Sequence, residues 1–384
     1  MKYKVNKKRL WLYFVLIPFF PLRGFMEFSI RFKQFMTAWL LVAVFMILIE
    51  LLLKSSSKSF RIDLNSAYVI GYFLLMLMIT ICVRKGLGEG LQKMIAAPFL
   101  CLLLLMYTNK NGTVLLDVLA NIILFDVFAN CTVLCPPIFR KISGLTTTLI
   151  CSIGHVQTAS QIGLIGILLS ILLKDRKKNR RNIILMLFSF ITMAISDTFV
   201  SEVILLFLLF CYVFRKKIGL MLNNIKFSKL YLGMTILNVT IIVCVVCYRI
   251  DFAARLGVYT VAISKIFERP LLGYGVEGIK IIPEWMQWDR NAVGFNYAHN
   301  EVLQLLLDGG MILFLAYLFL IVKVLNNAEK KINRKDKYLF SVILMAFSII
   351  SISESITDYN YFWTFIFIML YSKCLFGHSL KELK

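Results

Sequence analysis

Long apolar runs, many of about 18 residues or more, recur along the whole chain and constrain its fold more strongly than any other feature. A helix needs about 20 apolar residues to cross the roughly 30 Å hydrocarbon core of a bilayer, and backbone polar groups inside that core must be bonded within the protein. Of the 384 residues, 59% are hydrophobic and only 17% are charged. These features predict an all-α polytopic membrane protein and exclude a soluble fold.

Twelve apolar runs divide the chain, and several of them are short. They lie at residues 10–22, 35–53, 66–83, 94–107, 113–129, 155–173, 182–196, 199–214, 230–248, 303–322, 338–354 and 361–376. The sequence therefore predicts about twelve transmembrane helices and one large extracytoplasmic loop near the C-terminal third. It also predicts three regions: a bundle of about nine helices over 1–248, the loop over 249–302, and the C-terminal helices over 303–384.

The distribution of charge predicts how these helices cross the membrane. The formal net charge is +22, and the lysines and arginines lie between the apolar runs, as the positive-inside rule requires. A basic face for nucleic acid would be continuous and interleaved with aromatic residues, so nucleic acid is excluded as a partner. If the N-terminus is cytoplasmic, the cytoplasmic segments hold 29 of the 43 lysines and arginines and the remaining segments hold 14. We therefore expect a multi-pass protein of the cytoplasmic membrane, with both termini cytoplasmic and segment 249–302 outside.

Two motifs that hold cofactors in other proteins lack the surroundings that such sites need. Cys244 and Cys247 form C-x-x-C inside an apolar run, and no second cysteine pair accompanies them. The stretch from Gly273 to Gly278 has the pattern G-x-G-x-x-G, but no strand precedes it and no βαβ unit surrounds it. We expect no cofactor, and we interpret these glycines as points where the backbone turns tightly.

The outer loop begins with a predicted surface helix that carries a cationic stripe. Apolar positions between Asp251 and Arg269 fit a helix lying on the membrane, and Pro270 cannot continue it. Arg255, Lys265 and Arg269 fall on one side of that helix at 100° per residue. Three cations there could hold a diphosphate, because arginine offers a planar fork to phosphate oxygens. The alternative is that they anchor the helix to anionic headgroups.

His299 and Asn300 open the next apolar run. At 1.5 Å per residue, His299 lies about 6 Å above a span that begins at residue 303, which is headgroup depth. A helix N-terminus disfavours an imidazolium, so a neutral His299 could take a proton from a hydroxyl. The alternative is an interfacial histidine that only caps the helix.

These segments together resemble one family. The pattern R-x-x-x-Y, then R-P-L-L-G-Y-G, then H-N-x-x-L-Q-L-L-L-D-G-G is similar to the C-terminal signature of bacterial O-antigen ligases and Wzy-type polysaccharide polymerases. The local match covers about 70 residues, and the predicted topology also fits. The family often has Ser-Arg or Ser-Lys in a short outer turn, where this chain has Ser196-Asp197-Thr198. Arg249, Arg269 and Arg290 are the cations that could replace the missing one.

The resemblance implies a metal-independent glycosyltransferase acting outside the cytoplasmic membrane. The donor would be an oligosaccharide on undecaprenyl diphosphate, and an acceptor hydroxyl would displace the lipid diphosphate. His299 would orient or deprotonate the acceptor, Arg255 would neutralise the leaving group, and Arg269 and Asn300 would contact substrate. Membrane lipid and other polysaccharide-export proteins are the further partners that it implies.

Two alternatives to a repeat-unit polymerase stay open. An O-antigen ligase would use the same motif and differ only in its acceptor. A flippase for the lipid-linked oligosaccharide is the rival from another class, since acids in or near apolar runs should line a polar cavity. Those acids are Glu50, Asp117, Asp126, Glu202, Asp308, Glu354 and Asp358. Against a flippase, no repeat halves are visible in the sequence.

Overall fold

A computed structural model gives the architecture. It describes residues 7–56, 62–84, 90–133, 140–143, 146–151, 154–155, 157–174, 179–196, 198–251, 255–286, 294–295 and 297–376. Within those ranges the α-helices are α1 (Lys7–Leu16), α2 (Arg23–Phe28), α3 (Ile30–Ser56), α4 (Leu64–Arg84), α5 (Leu91–Val133), α6 (Thr158–Leu172), α7 (Asn179–Ala194), α8 (Phe199–Val213), α9 (Arg215–Asn224), α10 (Phe227–Cys247), α11 (Leu256–Glu268), α12 (Glu301–Glu329), α13 (Arg334–Ile350) and α14 (Asn360–Phe376). Short 3-10 turns cover Ile17–Phe19, Glu284–Met286 and Ile356–Asp358.

A small antiparallel sheet adds to the predicted all-helical fold. Its strands are β1 (Arg140–Ser143), β2 (Thr146–Cys151) and β3 (Gly154–His155), in the order β1-β2-β3. His155 was predicted to begin the sixth apolar span, but it lies in β3, and α6 begins only at Thr158.

Among the described residues, five helices are long and apolar enough to cross a membrane by length and composition. They are Ile30–Ser55, Leu64–Arg84, Gly112–Cys131, Phe227–Cys247 and Glu301–Glu329, and shorter apolar helices cover Leu91–Tyr107, Thr158–Leu172 and Phe199–Val213. On α3, Phe45, Leu52 and Leu53 are left exposed, which suits a surface in contact with lipid. These helices indicate a multi-pass membrane protein. The predicted number of twelve spans stays a prediction.

Two of the predicted spans fall within the single element α5, and its first half runs parallel to α14. Lys93 near the start of α5 contacts Asp358, just before α14, at 3.0 Å. Further along both helices, the Cys101 thiol lies beside the Tyr371 hydroxyl at 3.9 Å.

The second half of α5 runs parallel to α7. Asp117 contacts Arg181 at the start of α7 at 3.1 Å, and Cys131 contacts Thr192 near its end at 3.4 Å.

The contacts of helix α1 show that the first and second halves of α5 run in opposite directions. Arg9 near the start of α1 contacts Asp117 at 3.0 Å, whereas Phe19, just beyond the end of α1, accepts a hydrogen bond from Asn360 at the start of α14. The two apolar helices inside this element, Leu91–Tyr107 and Gly112–Cys131, therefore run in opposite directions. Two opposed apolar halves agree with the two separate runs that the sequence predicts there.

Helix α12 is broken inside its apolar stretch, where the sequence predicted an uninterrupted span. Gly309 (φ −149°, ψ 15°) and Gly310 (φ 61°, ψ −160°) are both non-helical. The backbone conformation of Gly310 lies in a region that only glycine populates readily. The break leaves backbone groups of α12 without their usual partners four residues away.

The segment after α11 supplies those partners. Its hydrogen bonds with α12 join the Tyr274 N–H to the Leu307 carbonyl (2.7 Å), the Met311 N–H to the Pro270 carbonyl (2.8 Å) and the Ile312 N–H to the Leu271 carbonyl (3.3 Å). An unpaired backbone group inside a membrane costs several kcal/mol, so these bonds make the break tolerable. The R-P-L-L-G-Y-G and D-G-G motifs thus form one structural unit.

The loop between α10 and α12 packs on one end of the bundle, called the site end below. Helix α11 buries Val258, Tyr259 and Ala262 in a small apolar cluster that also includes Val302 and Leu303 of α12. Arg269 is the C-cap residue of α11, so the helix ends where Pro270 predicts. Its start at Leu256 lies later than the predicted Asp251. This packing fixes the first turn of α11 close to the first turn of α12.

Candidate functional site

Three ionisable side chains from separate elements meet at the site end. Arg255 is the N-cap residue of α11, His299 lies two residues before α12, and Glu354 follows α13. One oxygen of Glu354, Oε1, lies 3.2 Å from His299 Nδ1 and 3.3 Å from Arg255 Nη2. The structure therefore brings together the two residues that the sequence proposed for proton transfer and for diphosphate binding. We call these three residues the His299 cluster.

The other ring nitrogen of His299 is buried and lacks a hydrogen-bond partner among the described residues. His299 is only 3% exposed, and its Nε2 has no hydrogen-bond partner among the residues that the structure describes. A carboxylate beside Nδ1 favours a proton on Nδ1, which leaves a lone pair on Nε2. The imidazole is flanked by the rings of Tyr297, with centres 4.1 Å apart, and Phe295, with centres 5.4 Å apart. These rings restrict its rotation.

The backbone of His299 is held in a costly conformation. Its φ of 51° lies in the left-handed region, which costs a non-glycine residue about 1–2 kcal/mol. The Tyr259 hydroxyl donates to the Ile352 carbonyl at 2.7 Å and lies 3.3 Å from the His299 carbonyl. Such strain persists only where surrounding contacts enforce it, and it is concentrated at functional sites.

Asn300 is completely buried, and the protein itself uses both ends of its amide. The carbonyl oxygen accepts hydrogen bonds from the N–H groups of Val302 and Leu303, which caps α12. The amide nitrogen donates to Asn238 Oδ1 at 2.7 Å and to the Ile352 carbonyl at 2.9 Å. These contacts tie α10, α12 and the turn after α13 together beside His299. The predicted contact of Asn300 with substrate stays a prediction.

The predicted cationic stripe is divided along α11. Arg255 and Arg269 lie at opposite ends of a 13-residue helix, about 20 Å apart along its axis. Lys265 pairs with Glu268 at 2.7 Å, and the Arg269 guanidinium lies 4.9 Å from the centre of the Tyr274 ring. The structure therefore does not bring Arg269 to the His299 cluster.

The surroundings of His299 favour its neutral form. Burial lowers the pKa of His299 below its ordinary value of 6.5, and the neighbouring Arg255 lowers it further. Glu354 acts in the opposite direction, because its charge and hydrogen bond raise that pKa. Burial raises the pKa of Tyr297, so its hydroxyl stays protonated beside the imidazole. At neutral pH the site therefore presents an uncharged imidazole that can accept a proton.

The sequence analysis did not propose Glu354 as a site residue. It was considered only among the acids of a transport pathway. The available signal was its position at the end of the run 338–354, which the predicted topology places at the same side of the membrane as His299. Of the other residues considered, Arg249 follows α10 with a φ of 50°, and Asp197 and Arg290 lie outside the described residues.

Comparison with known proteins adds no family assignment. No protein-family model matches the chain, and no curated protein matches it. The geometry of the His299 cluster and the motif resemblance are therefore the basis for a functional proposal.

Proposed function

We propose that this chain is a membrane glycosyltransferase that polymerises polysaccharide repeat units of the O-antigen, capsule or exopolysaccharide type. Its donor is an oligosaccharide on undecaprenyl diphosphate, and its acceptor is another lipid-linked glycan. The bundle lies in the cytoplasmic membrane with both termini in the cytoplasm, and the site end faces outward. Other polysaccharide-export proteins are its partners.

The free Nε2 of His299 is the observation that carries this proposal. A buried imidazole is tied to a carboxylate through one nitrogen, and its second nitrogen has no partner in the described part of the protein. The same carboxylate contacts an arginine. A base beside a cation is the arrangement that hydroxyl attack on an anionic glycosyl donor needs.

The proposed step transfers one glycosyl group. The acceptor hydroxyl gives its proton to His299 Nε2 while its oxygen attacks the anomeric carbon of the donor. The bond between that carbon and the diphosphate oxygen breaks, and the electron pair leaves with undecaprenyl diphosphate. Glu354 stabilises the imidazolium that forms, because its carboxylate lies 3.2 Å from Nδ1.

Arg255 is suited to neutralising the negative charge of the diphosphate leaving group. One of its terminal nitrogens contacts Glu354, while its Nε is buried and has no partner among the described residues. A guanidinium that is anchored at one end and free at another can present a fixed charge to a diphosphate oxygen. In this account Asn300 positions His299, and Arg269 meets the substrate away from the reacting carbon.

The acids that motivated a flippase are mostly paired locally. Glu50 contacts Lys54 at 2.8 Å, Asp117 contacts Arg9 and Arg181, Asp358 contacts Lys93, and Glu354 belongs to the His299 cluster. Acids that are neutralised by neighbouring cations at both ends of the bundle do not mark one continuous pathway. This pairing favours the transferase over the transporter.

The direct experiment uses purified protein in lipid vesicles with the lipid-linked oligosaccharide of the producing cell. We expect glycans to lengthen by whole repeat units when that oligosaccharide is the only glycan supplied. Transfer that occurs only when a different acceptor is added would indicate a ligase. Movement of the lipid-linked oligosaccharide across the bilayer without any new glycosidic bond would contradict the proposal and support a flippase.

A further inference from the structure

A polar cavity apart from the His299 cluster lies at the site end, between the N-terminal elements and the turn before α14. Its volume of about 590 Å³ falls within the range of small-molecule sites. Pro18, Phe19 and Met26 form part of its wall, and Gln92 adds an amide. No step of the proposed transfer uses these residues.

Among the described residues, the cavity is lined by the cations Arg23, Lys33 and Lys93 and by the acids Glu277 and Asp358. Lys93 Nζ lies 3.0 Å from Asp358 Oδ2 and 3.3 Å from Glu277 Oε1. Arg23 donates to the Asp358 carbonyl at 3.4 Å, and its guanidinium lies 4.4 Å from the centre of the Tyr359 ring. Lys93 thus has two acids as immediate neighbours, whereas Arg23 contacts a backbone carbonyl and an aromatic ring, so the site presents both donors and acceptors.

This chemistry selects for hydroxyl groups. Each hydroxyl both donates and accepts hydrogen bonds, so a carbohydrate can use carboxylates, amides and cations together. A fully ionised phosphate offers only acceptors, so it cannot donate a hydrogen bond to the carboxylates of Glu277 and Asp358. The proline and phenylalanine wall suits the apolar face of a sugar ring.

The cavity is joined to the His299 cluster by two short stretches of chain. Thr357, which lines the cavity, donates through its hydroxyl to Glu301 Oε1 at 2.7 Å, and Glu301 lies two residues after His299. Asp358 lies four residues after Glu354, so their Cα atoms are at most about 14 Å apart. The cavity and the His299 cluster are therefore close neighbours at the site end.

We infer that this cavity binds sugar residues of the acceptor glycan and positions the attacking hydroxyl at His299 Nε2. The inference rests on the proposed glycosyl transfer and adds the place where the acceptor is held. Lys93, Glu277 and Asp358 are binding residues in this account, while proton transfer stays with His299.

The experiment measures binding separately from transfer. The full-length protein in lipid nanodiscs is titrated with soluble oligosaccharide fragments of the producing cell's own surface polysaccharide. Met26→Trp adds bulk to the wall of the cavity and leaves its ion-paired residues unchanged. Met78→Trp is the matched control: it makes the same substitution on α4 outside the cavity, where Met78 is 63% exposed. Gln92→Leu removes a polar group at similar volume.

We expect Met26→Trp to raise the Kd for the fragments by about tenfold or more and Gln92→Leu to raise it by about fivefold, as the loss of one hydrogen bond would. The Met78→Trp variant should bind like the parent. In the transfer reaction, both cavity variants should raise the KM for acceptor while kcat at saturation is retained. The His299→Gln variant should keep fragment binding and lose transfer.

Several results separate this inference from the proposed function. If the cavity variants weaken fragment binding but the parent protein transfers no glycan, the proposed function is wrong and the cavity is still a saccharide-binding site. Transfer with unchanged Kd and KM in both cavity variants would overturn the saccharide site and leave the function. If Met26→Trp loses co-purified phosphatidylglycerol but binds fragments normally, the cavity is a lipid-headgroup site and the inference is wrong.

Discussion

His299 combines three properties that rarely occur together in one residue. It is buried, its backbone is left-handed, and one of its nitrogens has no partner in the described part of the protein. A histidine that only capped α12 would need none of these, and Asn300 already provides that cap. The geometry therefore favours a chemical role for His299 over the capping role that the sequence left open.

The pH dependence of transfer follows from the pKa of His299. Because burial lowers that pKa below 6.5, the neutral, proton-accepting form persists to more acidic pH than in an exposed histidine. We expect kcat/KM to stay constant as pH falls from 8 to about 6.5 and to decline only below that value. The measurement is kcat/KM for glycan elongation across buffers of equal ionic strength. A decline centred above pH 7 would contradict a buried neutral base.

Glu354 is expected to be required for the correct proton position on His299. The Glu354→Gln variant can present an amide N–H to Nδ1, which would move the imidazole proton to Nε2 and remove the base. We expect the elongation rate to fall by about 10²–10⁴-fold, with little change in protein level. Glu268→Gln is the control, since Glu268 is exposed, lies outside the His299 cluster and contacts Lys265 and Tyr274. Equal rates in the two variants would remove Glu354 from the mechanism.

At the scale of elements, the broken α12 connects the two motifs that carry the resemblance. The sequence indicated that Pro270 ends a helix and that glycines turn the backbone, and both predictions are confirmed. It could not indicate that residues 270–274 complete the hydrogen bonds of a break about 35 residues later. Such pairing depends on the packing of α11 against α12, which no local pattern encodes.

The break makes Gly310 irreplaceable. An added Cβ at Gly310 would overlap the Leu271 backbone, and its φ of 61° and ψ of −160° exclude other residues. We expect Gly310→Ala to destabilise the protein by about 2–6 kcal/mol through strain and steric overlap, with loss of activity. The matched control is Gly71→Ala inside α4, where a Cβ meets nothing and helix propensity improves. Thermal unfolding in detergent distinguishes them, and equal midpoints would contradict the strained break.

At the scale of the whole molecule, the apolar runs predicted a helical membrane bundle, which the structure shows in its long apolar helices. The exact number of spans does not follow from composition, because several helices are short and α5 contains two opposed halves. Glu354 could not be recognised as a partner of His299, since the two residues lie 55 positions apart and meet only after α10 to α13 have packed. Arg255 and His299 could be proposed as candidates from the sequence because each stands in a motif at a helix start.

The orientation in the membrane is tested by accessibility. The charge bias predicts that the site end faces outward, so a cysteine introduced at Gln287 should react with an impermeant thiol reagent on intact cells. A cysteine at Lys330, after α12 at the opposite end of the bundle, should react only after lysis. Labelling of the parent protein measures the background reaction of its own cysteines. The reversed pattern would place the site end in the cytoplasm and contradict extracytoplasmic transfer.

The most direct test of the central claim compares two histidines. His299→Gln keeps hydrogen bonding but cannot accept a proton as imidazole does, whereas His155→Gln changes a histidine in β3 outside the His299 cluster. Chain growth is measured in membranes that contain matched amounts of each protein. The account predicts that His299→Gln lowers the rate of elongation by about 10²–10⁴-fold and that His155→Gln has a much milder effect. Elongation by His299→Gln at the parent rate would contradict the account.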